Sequence, residues 1–293
     1  MRVMMIIKSD ADSEAGKLPS EEILTAMGAY NDQLIKAGVV LGGEGLQASS
    51  KGARIRVSGG DKVKVSDGPF TEAKELIAGY WILKVDSLAD AVAWARKIPG
   101  VADGEVELRE IYETEDFAVD PAEKPDGWRD KEQEMRAAQP PPRKPGTQRW
   151  MLVLKADKNT EAAFQPGQKL FTEMGALMGE IAAQGALLAG DGLKPSSRAA
   201  KVRHKGGKVT VVDGPFTEAK ELIAGFTIVQ GTKQQAIDWA TRVVQIHVAG
   251  TPIDHGECDV RQIFEIEDFA VDPAEKPGGW RDKEQAFRDK TGE

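Results

Sequence analysis

"VMMIIK", residues 3–8, decides how this chain folds. Every residue before the lysine is apolar, so no alternation separates a wet face from a dry one. A strand of that kind is covered on both sides. The string has a counterpart in "WMLVLK", residues 150–155, and the likeness extends along the whole chain. "GGEGLQASS" (42–50) matches "AGDGLKPSS" (189–197). "DGPFTEAKELIAG" occurs unchanged at 67–79 and 213–225. "EDFAVDPAEKPDGWRDKEQ" (115–133) returns at 267–285 with one change, Asp126 against Gly278.

The spacing between copies is 147 residues at first, 146 at the unchanged block and 152 in the tails. Two single-residue deletions and a seven-residue insertion in the second copy's late loop account for the drift. A period this long marks duplicated domains rather than a solenoid. The expected organisation is copy one with its tail over 1–133, a linker over 134–147 and copy two with its tail over 148–293. Pro140, Pro141, Pro142 and Pro145 make the linker extended and semi-rigid.

Each copy reads as β-α-β-hairpin-β-α-β. Ser20 precedes a helix with Ile23, Met27, Tyr30 and Leu34 on one stripe, and Leu170, Met174, Leu177 and Ile181 repeat the spacing. Gly38 and Gly185 stand where helices end. Arg54 and Arg56 alternate with Ile55 and Val57, and Lys62 and Lys64 with Val63 and Val65, around Gly59-Gly60. That pattern is a hairpin with one wet face. Ser87 with Asp90, and Thr232 with Gln235, have the spacing of a capping box at the second helix. The result is an α+β fold of tandem ferredoxin-like βαββαβ domains, each with an added hairpin. Such a sheet carries helices on one face only. The uncovered face of "VMMIIK" therefore predicts that the two sheets face each other, as a dimeric α+β barrel within one chain.

Composition narrows the function. The chain has 293 residues, 41% hydrophobic and 29% charged, with a net charge of −8. That balance gives no basic footprint for nucleic acid. No stretch approaches the roughly 20 apolar residues of a membrane span, and the N-terminal apolar run is too short for a signal peptide. A single cysteine, Cys258, cannot form an intrachain disulfide. The expectation is a cytoplasmic protein, a pseudo-dimer within one chain and open to further self-association. The Gly-rich stretch 42–45 lacks the Lys-Ser/Thr of a phosphate loop. His204, His247 and His255 all lie in copy two, and no zinc-ligand set or organic cofactor motif appears.

Asp67 and Asp213 open the unchanged block. Asp-Gly-Pro-Phe is turn chemistry, and the sharper reading makes each aspartate a general base in a cleft between the sheets. Glu44 and Asp191, each flanked by glycine, are turn residues or ligand contacts. Arg56, Arg203, Phe70 and Phe216 complete the candidate ligand-binding set. Glu72, Lys74 and Glu75, with Glu218, Lys220 and Glu221, read as solvated charge or as a lid. In the tails, Trp128 and Trp280 are expected to plug grooves, with Phe117 and Phe269 as further anchors.

"GGEGL…DGPFTEAKELIAGYWIL…VELREIYE", repeated as "GDGL…DGPFTEAKELIAGFTIV", resembles the YCII-related family in its DGPF-containing branch. The resemblance implies a dimeric ferredoxin-like α+β barrel and no agreed substrate. Some relatives have a proposed His–Asp catalytic pair. Here neither unchanged block holds a histidine, and His204 is matched in copy one by Val57. The functional expectation is a protein binding a small organic molecule in symmetric clefts, with cofactor-independent acid–base chemistry at the two aspartates. The alternative is a non-catalytic module binding a protein partner.

Overall fold

A computed structural model describes residues 1–59, 62–70, 76–101, 103–117, 133–134, 140–161, 167–216, 222–269 and 279–291. Copy one runs β1 (Arg2–Lys8), a helical turn α1 (Ala11–Glu14), α2 (Glu21–Ala37), β2 (Val40–Gly45), β3 (Ala53–Ser58), β4 (Lys62–Asp67), β5 (Ile77–Lys84), α3 (Leu88–Ala95) and β6 (Glu105–Glu110). Copy two runs β7 (Gln148–Lys155), α4 (Lys158–Glu161), α5 (Gln168–Ala183), β8 (Leu187–Gly192), β9 (Ala200–Lys205), β10 (Lys208–Asp213), β11 (Ile223–Gly231), α6 (Lys233–Gly250) and β12 (His255–Gln262). A last helix, α7 (Trp280–Thr291), follows.

The strands form two antiparallel six-stranded sheets, ordered β10-β9-β6-β1-β5-β2 and β4-β3-β12-β7-β11-β8. Four strands of each sheet come from one copy. The fifth and sixth are the hairpin of the other copy. β3 pairs with β12, setting Ile55 opposite Cys258 and Arg54 opposite Asp259. β9 pairs with β6, setting Val202 opposite Val106 and Lys201 opposite Glu107. The copies are thus interlocked by exchanged hairpins as well as by facing sheets.

The opening strands divide their side chains as a doubly covered strand must. Val3 and Met5 enter a cluster with Tyr30, Leu34, Ala91 and Val202 on the helix side. Met4 and Ile6 enter a second cluster with Met151, Val153, Phe226 and Ile228 between the sheets. In copy two, Trp150, Leu152 and Leu154 face the helices while Met151 and Val153 face inward. Each of Val3, Met4, Met5 and Ile6 is fully buried, and each buried side chain of this size stabilises by about 1.5–3 kcal/mol. Two seams join the sheets. Leu46 bridges Ile263 and Ile111 bridges Leu193, flanked by Gln47 N–H to the Gln262 carbonyl at 2.9 Å and Lys194 N–H to the Glu110 carbonyl at 2.8 Å.

The local signals act as expected. The Ser20 hydroxyl accepts from Ile23 N–H, and Gly38 closes α2 with a φ of 68°. Both capping boxes form, at Ser87 and Thr232. Gly206 and Gly207, with φ of 54° and 74°, make the β9–β10 turn, where only positive φ matches the strand twist. The inserted residues of copy two do not lengthen a late loop but extend its second helix: α6 has 18 residues against 8 in α3. The added turns, with Val243 and Val244, cover the hairpin received from copy one.

The tails cross between copies. Trp280 is buried, edge-to-face with Phe269 at 5.1 Å between ring centres. α7 lies on α2, where Lys283 packs against the space at Gly28, and Phe287 enters the copy-one core. At the first tail, Phe117 stacks on Tyr112 and meets Phe171 of α5 at 4.8 Å. Trp128 lies outside the described residues. No described helix is long and apolar enough to cross a membrane.

Candidate functional site

Where the exchanged hairpins enter the sheets, the inner faces change from apolar to charged. On β1, Lys8 follows Met4 and Ile6 on the inward side. On β6, Glu107 and Arg109 point the same way, because Val106 and Leu108 face the helices. Lys201 of β9 stands opposite Glu107. Lys8 Nζ is 3.0 Å from Glu107 Oε2, and Arg109 Nη1 is 3.2 Å from Glu107 Oε1. Arg109 also donates to Glu161 of α4 at 3.3 Å and to the Lys194 carbonyl at 2.6 Å. Lys201 pairs with Glu105 at 2.8 Å and lies over the Phe216 ring, 4.5 Å from its centre.

The second cluster repeats the first under the pseudo-twofold. Lys155, Asp259 and Arg261 take the places of Lys8, Glu107 and Arg109, and Arg54 takes that of Lys201. Arg54 grips Asp259 at 2.6 and 2.9 Å and lies 4.3 Å from the centre of the Phe70 ring. Arg261 donates to Glu14 of α1 at 3.2 Å and to the Gln47 carbonyl at 2.8 Å. Each cluster therefore draws residues from both copies. Burial alone would raise the Glu107 carboxyl, but Lys8, Arg109 and Lys201 outweigh it and hold the group at about 2. Burial also opposes ionisation of Asp259, and Lys155 and Arg54 again lower it. These carboxylates stay charged through the physiological range.

The unchanged block gains a structural meaning here. Gly68 and Gly214 precede cis prolines. A Cβ at either glycine would overlap the carbonyl oxygen of Ser49 or Ser196. The hydroxyls of those serines accept from Phe70 N–H at 3.0 Å and Phe216 N–H at 3.1 Å. The turn thereby sets each phenylalanine beneath a buried cation. Asp67 is 77% exposed and pairs with Lys233 at 2.8 Å, at the start of α6, and Asp213 is exposed as well. Arg56 and Arg203 sit half-exposed over Glu257 and Glu105, at 2.5 and 2.7 Å. Glu72, Lys74, Glu75, Glu218, Lys220 and Glu221 lie outside the described residues.

Glu44 and Asp191 are in strands, not turns, and tie the copies together away from the clusters. Arg149 of copy two pairs with Glu44, as does Arg288 of α7 at 3.0 Å. Arg2 of copy one forks onto Asp191 at 2.9 and 3.0 Å and onto Glu113 at 2.9 Å. Burial pushes the Asp191 carboxyl up to about 7 against the attraction of Arg2.

With both copies and both clusters located, comparison with known proteins gives a direct match. The YCII-related domain matches twice, over residues 1–115 and 149–247. The chain belongs to the YCII-related family. It is also similar to an uncharacterized protein of Rhizobium meliloti (strain 1021), 41% identical over 49 residues. That stretch covers 16% of this chain and 40% of the relative's length.

The charged core of this YCII-related chain escaped sequence reading. "EVELRE" alternates as a wet strand does, and Arg54 reads as the wet face of a hairpin, yet it is only 8% exposed. One signal was available. Across the copies Glu107 is matched by Asp259 and Arg54 by Lys201, so charge sign persists where residue identity does not.

Proposed function

We propose that a small organic molecule binds among the charged clusters where the copies meet. The observation that carries this reading is one constellation built twice, with Lys8, Glu107, Arg109 and Lys201 at one end and Lys155, Asp259, Arg261 and Arg54 at the other, all buried at the side chain or nearly so. Buried ion clusters are often no more stabilising than apolar packing, so stability alone is a weak reason to keep two. Phe70 and Phe216 supply an apolar wall, and Arg56 and Arg203 a polar rim. If the molecule is turned over without a cofactor, Asp67 and Asp213, exposed at the strand ends, are the carboxylates to serve as bases.

Native mass spectrometry of the full chain tests the reading. An adduct retained under gentle conditions should vanish on denaturation and in the Lys8→Met, Lys155→Met double variant. Asp67→Asn with Asp213→Asn should retain the adduct and slow any exchange of its C–H protons with D2O. A chain that carries no adduct and binds no member of a panel of small organic acids overturns the proposal.

A second reading, a non-catalytic module for a protein partner, draws on the outer edge strands. Val63 and Val65 of β4, and Val209 and Val212 of β10, are exposed, and Asp67 sits on the same open rim. Under this reading Val65→Lys with Val212→Lys would disrupt function while Lys8→Met would not.

A further inference from the structure

The two clusters differ in one respect that bears on which of them holds a ligand. In the second, Arg54 spans both oxygens of Asp259 at 2.6 and 2.9 Å, and Lys155 stands 3.4 Å from the same carboxylate. A guanidinium fork of this geometry satisfies a carboxylate from within the protein. In the first, the matching cation is Lys201, which turns to Glu105 at 2.8 Å, and the matching carboxylate is the longer Glu107. Lys8 Nζ and Glu107 Oε2 form an ion pair at 3.0 Å. Beyond that pair neither atom has a hydrogen-bond partner, on side chains only 6% and 1% exposed. A buried ammonium and a buried carboxylate oxygen left in that state are costly. Together they specify a molecule with an acceptor for one and a donor for the other. Charge adds a second requirement. Among the described residues this cluster gathers Lys8, Arg109, Lys201 and Arg203 against Glu105, Glu107 and Glu161, an excess of one cation; the second cluster has the same excess, with Lys155, Arg54, Arg56 and Arg261 against Glu14, Glu257 and Asp259, so charge sets the class of ligand and not the choice of cluster.

Resting on the ligand-site reading above, we infer that the Lys8–Glu107 cluster alone is loaded and that it takes a small hydroxy acid. The acid's carboxylate accepts from Lys8, and its hydroxyl donates to Glu107. In the second cluster the Asp259 carboxylate is closed by the Arg54 fork, and Arg261 Nε is the one atom among its described residues left buried without a hydrogen-bond partner.

The test is an NMR titration of the full chain with carbon-13 glycolate, and with acetate, which lacks the hydroxyl. Glycolate should bind with one equivalent per chain and at least ten-fold more tightly than acetate, since a hydrogen bond to a charged group is at stake. Glu107→Gln, close to isosteric, should erase most of that ten-fold preference. Lys8→Met should abolish glycolate binding and Lys155→Met should not, with melting curves confirming that both variants fold. Arg54→Lys with Asp259→Glu should open a second equivalent. Two equivalents in the unmodified chain, or loss on Lys155→Met with retention on Lys8→Met, would overturn the one-site assignment and leave the ligand-site reading standing. Equal affinity for glycolate and acetate, or no saturable binding of either, would overturn the hydroxy-acid assignment. The mass-spectrometric adduct separately decides the broader reading.

Discussion

Arg54 of the first copy forks onto Asp259 of the second at 2.6 and 2.9 Å, across the ladder that joins β3 to its adopted sheet. Both side chains are nearly excluded from water, so neither can be rehydrated if its partner is removed. Asp259→Ala should therefore cost about 3–5 kcal/mol, the range for breaking a buried pair from one side. Asp67→Asn, removing an exposed pair with Lys233, should cost at most about 1 kcal/mol. Urea melts of the two variants check the contrast.

Two carboxyls, Glu107 and Asp191, act on the pH range of stability from opposite sides. Glu107 is held at about 2 in the fold and near 4.3 when unfolded. A depressed carboxyl contributes stability that is full above its unfolded value and lost as pH falls through its folded one. The expected loss is about 3 kcal/mol between roughly pH 5 and pH 2. Asp191 behaves in the opposite sense. Its folded value of about 7 lies above its unfolded value, so the folded state holds the proton longer and stability declines as pH rises from about 4 to 7. Glu107→Gln should flatten the acid limb and Asp191→Asn the neutral one in melts taken across pH.

Much of the fold could be read directly because its causes are local. Val3, Met4, Met5 and Ile6 leave no wet side, and that alone requires two covered faces. Ser87 with Asp90, and Gly38, act within a turn of their own positions. The destination of the hairpins could not be read. β3 and β9 carry the same pattern, and which sheet edge receives each depends on where β6 and β12 lie, not on anything within the hairpin. The charged clusters were hidden for a related reason. Glu107 and Arg109 alternate with Val106 and Leu108 as on a solvated strand, and only closure of the barrel turns that face inward. In the unchanged block the turn was legible from Gly68 and Pro69, but not the seating of Phe70 beneath Arg54.

Gly68 and Gly214 should tolerate no side chain. Alanine at either would drive its Cβ into the carbonyl of Ser49 or Ser196, and backbone cannot yield as a flexible side chain can. Overpacking of this kind costs about 1–3 kcal/mol. Gly68→Ala should also lift Phe70 from Arg54, whereas Gly175→Ala, with open space around it, should cost nothing measurable. Thermal melts separate the two, and a crystal structure of Gly68→Ala would show the displaced ring.

The exchanged hairpins make a strong demand on the isolated halves. Residues 1–133 alone would present β6 without β9, and β3–β4 without β12. Two such fragments satisfy both needs by exchanging hairpins with each other, rebuilding the twelve-strand arrangement with Met4 and Ile6 again between sheets. The fragment should sediment as a dimer, and a folded monomer in sedimentation would contradict the interlock.

The final helix should be part of the first copy's core and not an appendage of the second. Phe287 is 1% exposed and packs with Tyr30, Leu34 and Trp81 of copy one. Its neighbour Arg288 reaches Glu44 at 3.0 Å, a carboxylate that Arg149 of copy two also holds. Phe287→Ala removes a buried aromatic ring from a packed site and should cost about 3–5 kcal/mol. Arg288→Met leaves Glu44 its other arginine and retains the apolar stem, so its cost should be smaller. Truncation after residue 278 removes both contacts together with the cover that α7 gives to α2. In hydrogen exchange, the truncated chain should lose protection first in α2 and β2, nearly 250 residues away in sequence, while α5 and α6 keep theirs. Loss confined to copy two would show that α7 serves its own copy instead.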